Sequence, residues 1–509
     1  MKKTLLLTSL VASMVAMAGT TGSVKSFAES EAKFETRKSV SETDPKKIET
    51  EIMKSYKVEK IGVETEVKVK ESGLSFGGTF QAKDLILGEV KKVNYLNHSS
   101  VWSKYELPEL SGVKTYVKAT VSPKFAELEK LEVANIKDTE VKNEDKGSAE
   151  LEGQVSCKYG NFTFGLNSKT NFPLSNKTYK YEKDKVDPKY VGTEEYGKLV
   201  KSTHKVFVES EKDKDVLVKG LKDVKANVEI KHDYAKTVTK AGERVDYVSG
   251  EVSAKYDAVK DLELEGKAAF KKNIKSGEKI GKYEVLGIKL FEESPARYIH
   301  LYELKGTYKG FKHLTLSAKP FVAHVNIAKD IKNNNLSRED KVLYGAELGA
   351  EYKMLNDKLT LTGKSLLAGV HHKTINEAAQ EEAKKIVKEN FGHFIFDANA
   401  KYDYNVTDKF TVSPEAGANL YLFVSKSGTS DKLDTEPTLT LTPKVSAEYK
   451  PTDTLTLKGS VEVPVKFGIV TKSFEKDSDG KYNQGKPVDG FGYYSTSIKT
   501  SLNLKYEWK

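Results

Sequence analysis

Apolar and polar residues alternate with period two over long stretches of the chain. From Leu455 to Ile469 the odd positions are Leu, Leu, Gly, Val, Val, Val, Phe and Ile. The even positions between them include Thr456, Lys458, Ser460, Glu462, Lys466 and Gly468. From Tyr494 to Trp508 the even positions are Tyr, Thr, Ile, Thr, Leu, Leu, Tyr and Trp, with Ser, Lys, Asn and Glu between them. Val248–Tyr256 and Tyr344–Tyr352 behave alike. Such alternation is the mark of a strand with one greasy and one polar face.

These strands belong to a repeat. Tyr256-Asp-Ala-Val-Lys-Asp-Leu262, Tyr308-Lys-Gly-Phe-Lys-His-Leu314, Tyr404-Asn-Val-Thr-Asp-Lys-Phe410 and Tyr449-Lys-Pro-Thr-Asp-Thr-Leu455 share one layout, and Tyr352–Leu359 is the same unit with one more residue. A strand ends in tyrosine, a short polar turn follows, and a new strand begins. The tyrosines lie 52, 44, 52 and 45 residues apart. That spacing accommodates two long strands, one short turn and one long loop, and is too wide for solenoid rungs of about 20 to 30 residues.

Strand length decides what the greasy face meets. Strands of soluble domains average about five or six residues, whereas a tilted membrane strand needs about nine to eleven. Several alternating runs here are longer still. Strands ending near Val69, Val121, Tyr159, Val208, Tyr256, Tyr308, Tyr352, Tyr404, Tyr449 and Trp508 run one way. Those starting near Leu74, Leu131, Phe162, Val224, Leu262, Leu314, Leu359, Phe410 and Leu455 run the other. An even total is usual for such barrels, which sets the expectation at about 18–20 strands (range 16–22). The fold class is therefore all-β, a transmembrane antiparallel up-and-down β-barrel. Its short turns lie at one end and its long loops, among them 88–111, 171–200, 272–297, 325–341, 370–392 and 470–490, at the other.

The chain start sets the compartment. Lys2 and Lys3 precede an apolar run, Thr4–Ala18, with small-residue cleavage sites at Ala16-Met17-Ala18 and Ser26-Phe27-Ala28. This is a secretory signal peptide, too short for a membrane helix. The expected division is a leader over 1–28, a periplasmic segment over 29–60 and the barrel over 61–509. In the middle segment, Asp44-Pro45 before Ile48, Ile52 and Tyr56 suggests a short helix, the alternative being a first strand.

Composition narrows the chemistry. The 509 residues carry a formal charge of +10, and only Arg37, Arg244, Arg297 and Arg338 among the 83 basic residues are arginine. A modest charge spread over an exported chain reads as surface character and not as nucleic-acid binding. One cysteine, Cys157, on the apolar face of its strand, excludes an internal disulfide framework. His371, His372 and His393 lack metal-ligand spacing, and there is no G-x-S-x-G, P-loop or zincin motif. No catalytic residue, metal or cofactor is assigned.

The leader, the alternating strands, the turn and loop asymmetry and the segment Leu502-Asn-Leu504-Lys-Tyr506-Glu-Trp508 resemble the Gram-negative outer-membrane β-barrel proteins, the porin-like ones among them. The likeness covers about residues 60 to 509. It departs in having Lys509 after the terminal aromatic, and no TonB box or plug is evident. The resemblance implies a cell outer membrane location, lipid as a partner, recognition of the final strand by the barrel assembly machinery, and a channel for passive diffusion of small hydrophilic solutes. A surface adhesin or structural barrel acting through its loops is the alternative, and homo-oligomerisation is left open.

Pore-lining candidates follow from the polar faces. The basic ones are Lys255, Lys267, Lys364, Lys401, Lys444, Lys458, Lys466 and Lys499, and the acidic ones Glu347, Glu415 and Glu462. Across all such faces the two signs nearly balance, so no ion preference is read. Residues 374–390 are rich in helix formers, with Glu377 and Glu381 early and Lys384 and Lys388 late, which suits the helix dipole. The expectation there is a helical loop that narrows the mouth. Tyr256, Tyr308, Tyr352, Tyr404, Tyr449 and Trp508 form the expected aromatic girdle.

Overall fold

The computed structural model describes residues 19–508 apart from 41–47, 87–97, 132–138, 175–177, 183–189, 194–199, 235–246, 275–282, 286–287, 292–295, 332–334, 377–385, 427–433, 470–473, 477–481 and 485–490. The wall is a closed antiparallel barrel of twenty strands. They are β1 (Thr20–Val40), β2 (Ile48–Val69), β3 (Leu74–Ile86), β4 (Ser100–Glu106), β5 (Val113–Leu131), β6 (Thr139–Tyr159) and β7 (Phe162–Pro173). There follow β8 (Val200–Ser210), β9 (Leu221–Tyr234), β10 (Tyr247–Tyr256), β11 (Leu262–Asn273), β12 (Ala296–Phe311), β13 (Leu314–Ile331) and β14 (Asn335–Met354). The last are β15 (Leu359–Asn376), β16 (Ile386–Tyr402, continued by Tyr404–Thr407), β17 (Phe410–Lys426), β18 (Asp434–Thr452), β19 (Leu455–Glu462, continued by Val465–Ile469) and β20 (Phe491–Trp508). Each strand pairs with its neighbours in sequence, and β1 pairs with β20 to close the ring. Closure removes the open edge that hydrocarbon would not tolerate.

At one end the connections are tight. Their left-handed positions include Gly73, Gly160, Asp261, His313, Asn356 and Asp357, small or polar residues that tolerate positive φ, as well as Leu217 and Leu355. Gly73 is required on space alone, because a Cβ there would sit 2.1 Å from the Glu106 carbonyl oxygen. The first residues of β1 and the last of β20 lie at this same end, opposite Val69.

The outer face carries a greasy band of limited height. Along β14 the outward positions are Tyr352, Ala350, Leu348, Ala346, Tyr344 and Val342, then Asp340. The neighbours switch in register: Val322 and Gly369 flank Tyr344, whereas Asn326 and Lys373 flank Asp340. Tyr352 to Val342 is a span of the length a tilted strand needs to cross a bilayer.

Several expectations change. The boundary at residue 61 falls inside β2, and residues 20–28, assigned to the leader, are paired wall. The helix suggested over Ile48, Ile52 and Tyr56 is strand β2. A spacing of four keeps residues on one face at either period, so that cue did not discriminate. The uncounted strand is β1. The strand expected to end at Val121 is instead β5, running the opposite way through that residue, while β4 lies within the expected loop 88–111. The expected loops 325–341 and 370–392 are mostly strand. The helical loop is bounded by strand as well: Thr374 pairs with Val387 and Ile375 with Ile386. Cross-strand pairing overrides helix propensity there. Glu377, Glu381 and Lys384 lie outside the described residues.

Candidate functional site: the inner face of the barrel

Strand parity sorts the side chains. In β6, Leu151, Val155, Cys157 and Tyr159 are exposed on the convex face, whereas Glu150, Glu152, Gln154, Ser156 and Lys158 face inward and meet their neighbours. The Tyr116 hydroxyl donates to Glu152 at 2.7 Å, and Asn167 Nδ2 donates to the same carboxylate at 2.9 Å. Lys169 pairs with Glu150 at 2.8 Å. Lys104 lies 4.3 Å above the Tyr116 ring and Lys118 lies 5.0 Å from the Trp102 ring. Lysine over an aromatic face is favourable while the ammonium keeps its water.

The candidate lining residues share this inward face, and most of them are paired. Lys267 meets Glu251 at 2.9 Å and Lys255 meets Asp223 at 3.2 Å. Glu347 meets Lys319 at 3.3 Å, Lys444 meets Glu415 at 3.4 Å, and Lys458 meets Glu448 at 2.7 Å. Lys499 lies 3.9 Å from Glu462, and Lys401 contacts Asp403 at 2.8 Å. Lys364 stands in register with Asp397, and Lys466 lies 5.3 Å from the Tyr494 ring. The wall therefore carries neutralised pairs rather than rings of one sign. Each exposed pair stabilises by only about 0–1 kcal/mol, so their main effect is on the field inside.

One sector differs. From β12 to β16 the inward positions turn apolar across four register rows: Ile299, Leu301, Phe321, Ala323, Val325, Leu343, Leu366, Ala368, Val370, Phe391 and Ile395. Ala323 is 0% exposed, and Val325 and Leu343 1% each. On the outer side of the same strands Tyr344, Leu348 and Leu367 are 55%, 54% and 67% exposed. Here both faces are greasy, and the inner one is the covered one. Charged side chains complete its outermost rows: Lys319 and Glu347 stand in register with Leu366 at one end, and Lys341, His372 and Glu389 with Val325 at the other. The signal was present in sequence as breaks in alternation, at Phe321-Val-Ala323, Leu366-Leu-Ala368 and Phe394-Ile-Phe396.

The histidines separate. His371 faces outward and lies 2.8 Å from Asn390 Oδ1. His372 faces inward between Glu339 and Glu389, at 3.3 and 3.2 Å. The His393 ring contacts the Tyr421 hydroxyl at 3.0 Å and the Phe423 ring at 5.1 Å. Among the described residues no three metal-ligating groups converge. Lys388, expected in a constriction, stands on β16 in register with Lys373, on the outer face above the greasy band. Tyr256, Tyr308, Tyr352, Tyr404 and Tyr449 all lie on the outer face at the tight-turn end, each partly exposed. Trp508 joins them, stacked on Tyr506 with centroids 6.2 Å apart.

No family model matches this sequence, and no curated protein is similar to it. Among solved structures, a point mutant of the ferric enterobactin receptor PfeA of Pseudomonas aeruginosa, in complex with enterobactin, is 10% identical with a TM-score of 0.45, the match covering 96% of this chain and 82% of that one. The siderophore receptor PirA of Acinetobacter baumannii is 10% identical with a TM-score of 0.42, over 97% and 81%. A loop deletion mutant of OmpT, an outer membrane protein of Vibrio cholerae, is 10% identical with a TM-score of 0.27, over 96% and 100%. The chain has the fold of an outer-membrane β-barrel on its own strands: twenty of them, closed, with a greasy belt outside.

Proposed function

We propose that the protein is a porin-type channel through which small hydrophilic solutes diffuse passively across the outer membrane. The observation that carries this reading is the inner wall from β3 to β11 and from β17 round to β1, where lysines, acids, amides and hydroxyls face the interior of a closed barrel. A greasy exterior and a wet interior are the two requirements of a diffusion channel. Paired charges such as Lys267 with Glu251 and Lys444 with Glu415 keep the wall hydrated without a strong field of either sign. The apolar sector from β12 to β16 offers solutes no polar contact, so the path runs along the opposite wall. The girdle tyrosines and Trp508 sit at the lipid headgroups of the inner leaflet, and the alternating strand β20 is the segment the assembly machinery engages.

Planar bilayers test the reading. Purified protein inserted from detergent gives stepwise conductance in potassium chloride, and liposomes containing it swell in small sugars faster than in large ones. Correctly folded, heat-modifiable protein that produces neither steps nor swelling overturns the proposal.

A further inference from the structure

The chain offers two places where a leader could be removed, after Ala16-Met17-Ala18 and after Ser26-Phe27-Ala28. Both present the small residues that a signal peptidase accepts. The expected leader over 1–28 takes the second; the barrel wall favours the first.

Strand β1 begins at Thr20. Thr20 to Ala28 pair residue for residue with Val69 to Ile61 of β2, and Gly22 to Ala28 pair with Trp508 to Leu502 of β20. This stretch is the seam that shuts the ring at its tight-turn end. The Lys70 amide donates to the Gly19 carbonyl at 2.8 Å, so the seam starts at Gly19 itself. Side chains lock it further. The Trp508 ring covers Gly22 so closely that a Cβ there would lie 2.5 Å from a ring carbon. The Trp508 indole N–H donates to Thr20 Oγ1 at 3.4 Å. On the other face Phe27 is buried, with Lys25 and Lys60 at 5.9 and 5.7 Å from its ring.

Cutting after Ala28 would discard all of this. Leu502 to Trp508 would keep only β19 as partner and present a bare strand edge at membrane depth, where each unpaired backbone group costs several kcal/mol. Ile61 to Val69 would lose β1 in the same way. Cutting after Ala18 removes Lys2, Lys3 and the apolar run and leaves every one of these pairs intact.

We propose that the leader is cleaved between Ala18 and Gly19, and that Gly19–Ala28 is retained as the seam of the mature barrel; this rests on the reading of the protein as exported.

The first test is the N-terminal sequence and intact mass of protein recovered from the outer membrane. A chain beginning at Gly19 supports the proposal. One beginning at Glu29 overturns it while leaving export standing, and a membrane-inserted chain still beginning at Met1 overturns the cleaved-leader reading beneath it. The second test does not depend on a variant failing to fold. In a Cys157→Ser background, Ser26→Cys and Leu504→Cys are introduced together and treated with a short bismaleimide. An internal crosslink between the two ends is expected, visible as altered mobility of the heat-denatured chain. Recovery of mature protein with one thiol instead of two, and no crosslink, contradicts the retained seam.

Discussion

The two sides of the inner wall obey different rules. From β5 to β11 the inward residues are Tyr116, Glu152, Asn167, Lys169, Glu251 and Lys267, tied to one another by hydrogen bonds and ion pairs. From β12 to β16 they include Phe321, Ala323, Val325, Leu343 and Leu366, and these are buried. The backbone is the same antiparallel ladder in both. What differs is the partner of the inner face. Polar residues suit a wall that meets water, whereas a covered apolar belt behaves as a core, with the energetics of packing instead of solvation. The barrel therefore has a polar side and a covered apolar side, and the proposed diffusion path runs along the first.

Four changes break or sharpen this contrast. The largest effect is expected from Leu343→Ala, which leaves a cavity in the dry belt and lowers stability by about 2–5 kcal/mol, read from denaturant titration of heat-modifiability in micelles. A loss no greater than that of a polar-wall variant would abolish the distinction. Second, Lys267→Glu sets two carboxylates side by side on the wet wall. A unit charge about 4 Å from a passing ion in water is worth about 1 kcal/mol, about fivefold for one ion, and the exchange reverses the sign, so the cation to anion permeability ratio, measured as reversal potential in a salt gradient, should rise by at least about fivefold. An unchanged ratio would mean that ions do not pass that wall. Third, Tyr116→Phe removes the hydroxyl donated to Glu152 but keeps the ring beside Lys104. The expected loss is roughly 1 kcal/mol, well below that of Leu343→Ala in the same titration.

The smallest effect lies at the tight-turn end. Lys158 and Lys214 hold the Glu211 carboxyl below its ordinary value of 4.5 by hydrogen bonds from their ammonium groups. A depressed carboxylate stabilises the folded state at pH above the unfolded value and loses that contribution as pH falls through the folded one. The difference in melting temperature between wild type and Glu211→Gln should therefore be small at neutral pH, shrink as pH falls below the ordinary value of 4.5, and vanish once the carboxyl is protonated in the folded protein as well. A difference that grows with acid would contradict the pairing.

How much of this could be read from the chain follows from which features repeat. The tyrosine, turn and strand unit recurs from Tyr256 to Tyr449, and there the faces and the strand ends at the tight turns were legible nearly to the residue, whereas the far ends run on into segments 325–341 and 370–392 expected as loops. Where the unit is absent the reading slipped: β1 hid behind an apolar leader, and β4 is only seven residues long. The candidate lysines lie on the inner face that parity gave them, but their pairing with acids depends on register between strands, which no single strand encodes. Tyr116, Trp102 and Asn167 went unnoticed because aromatics and amides do not announce a face. The dry belt was obscured by the opposite error, the assumption that every strand of a channel alternates. Residues 366–370 do not.

The central claim is that outward side chains meet hydrocarbon while inward ones meet water. Single cysteines placed from Glu150 to Val155 in a Cys157→Ser background test it most directly, in protein reconstituted into liposomes. Positions 151, 153 and 155 should carry a fluorophore quenched by brominated lipid and shielded from iodide, while positions 150, 152 and 154 should react with a charged, membrane-impermeant thiol reagent. Uniform reaction at all six, or lipid quenching at the even positions, would contradict the account.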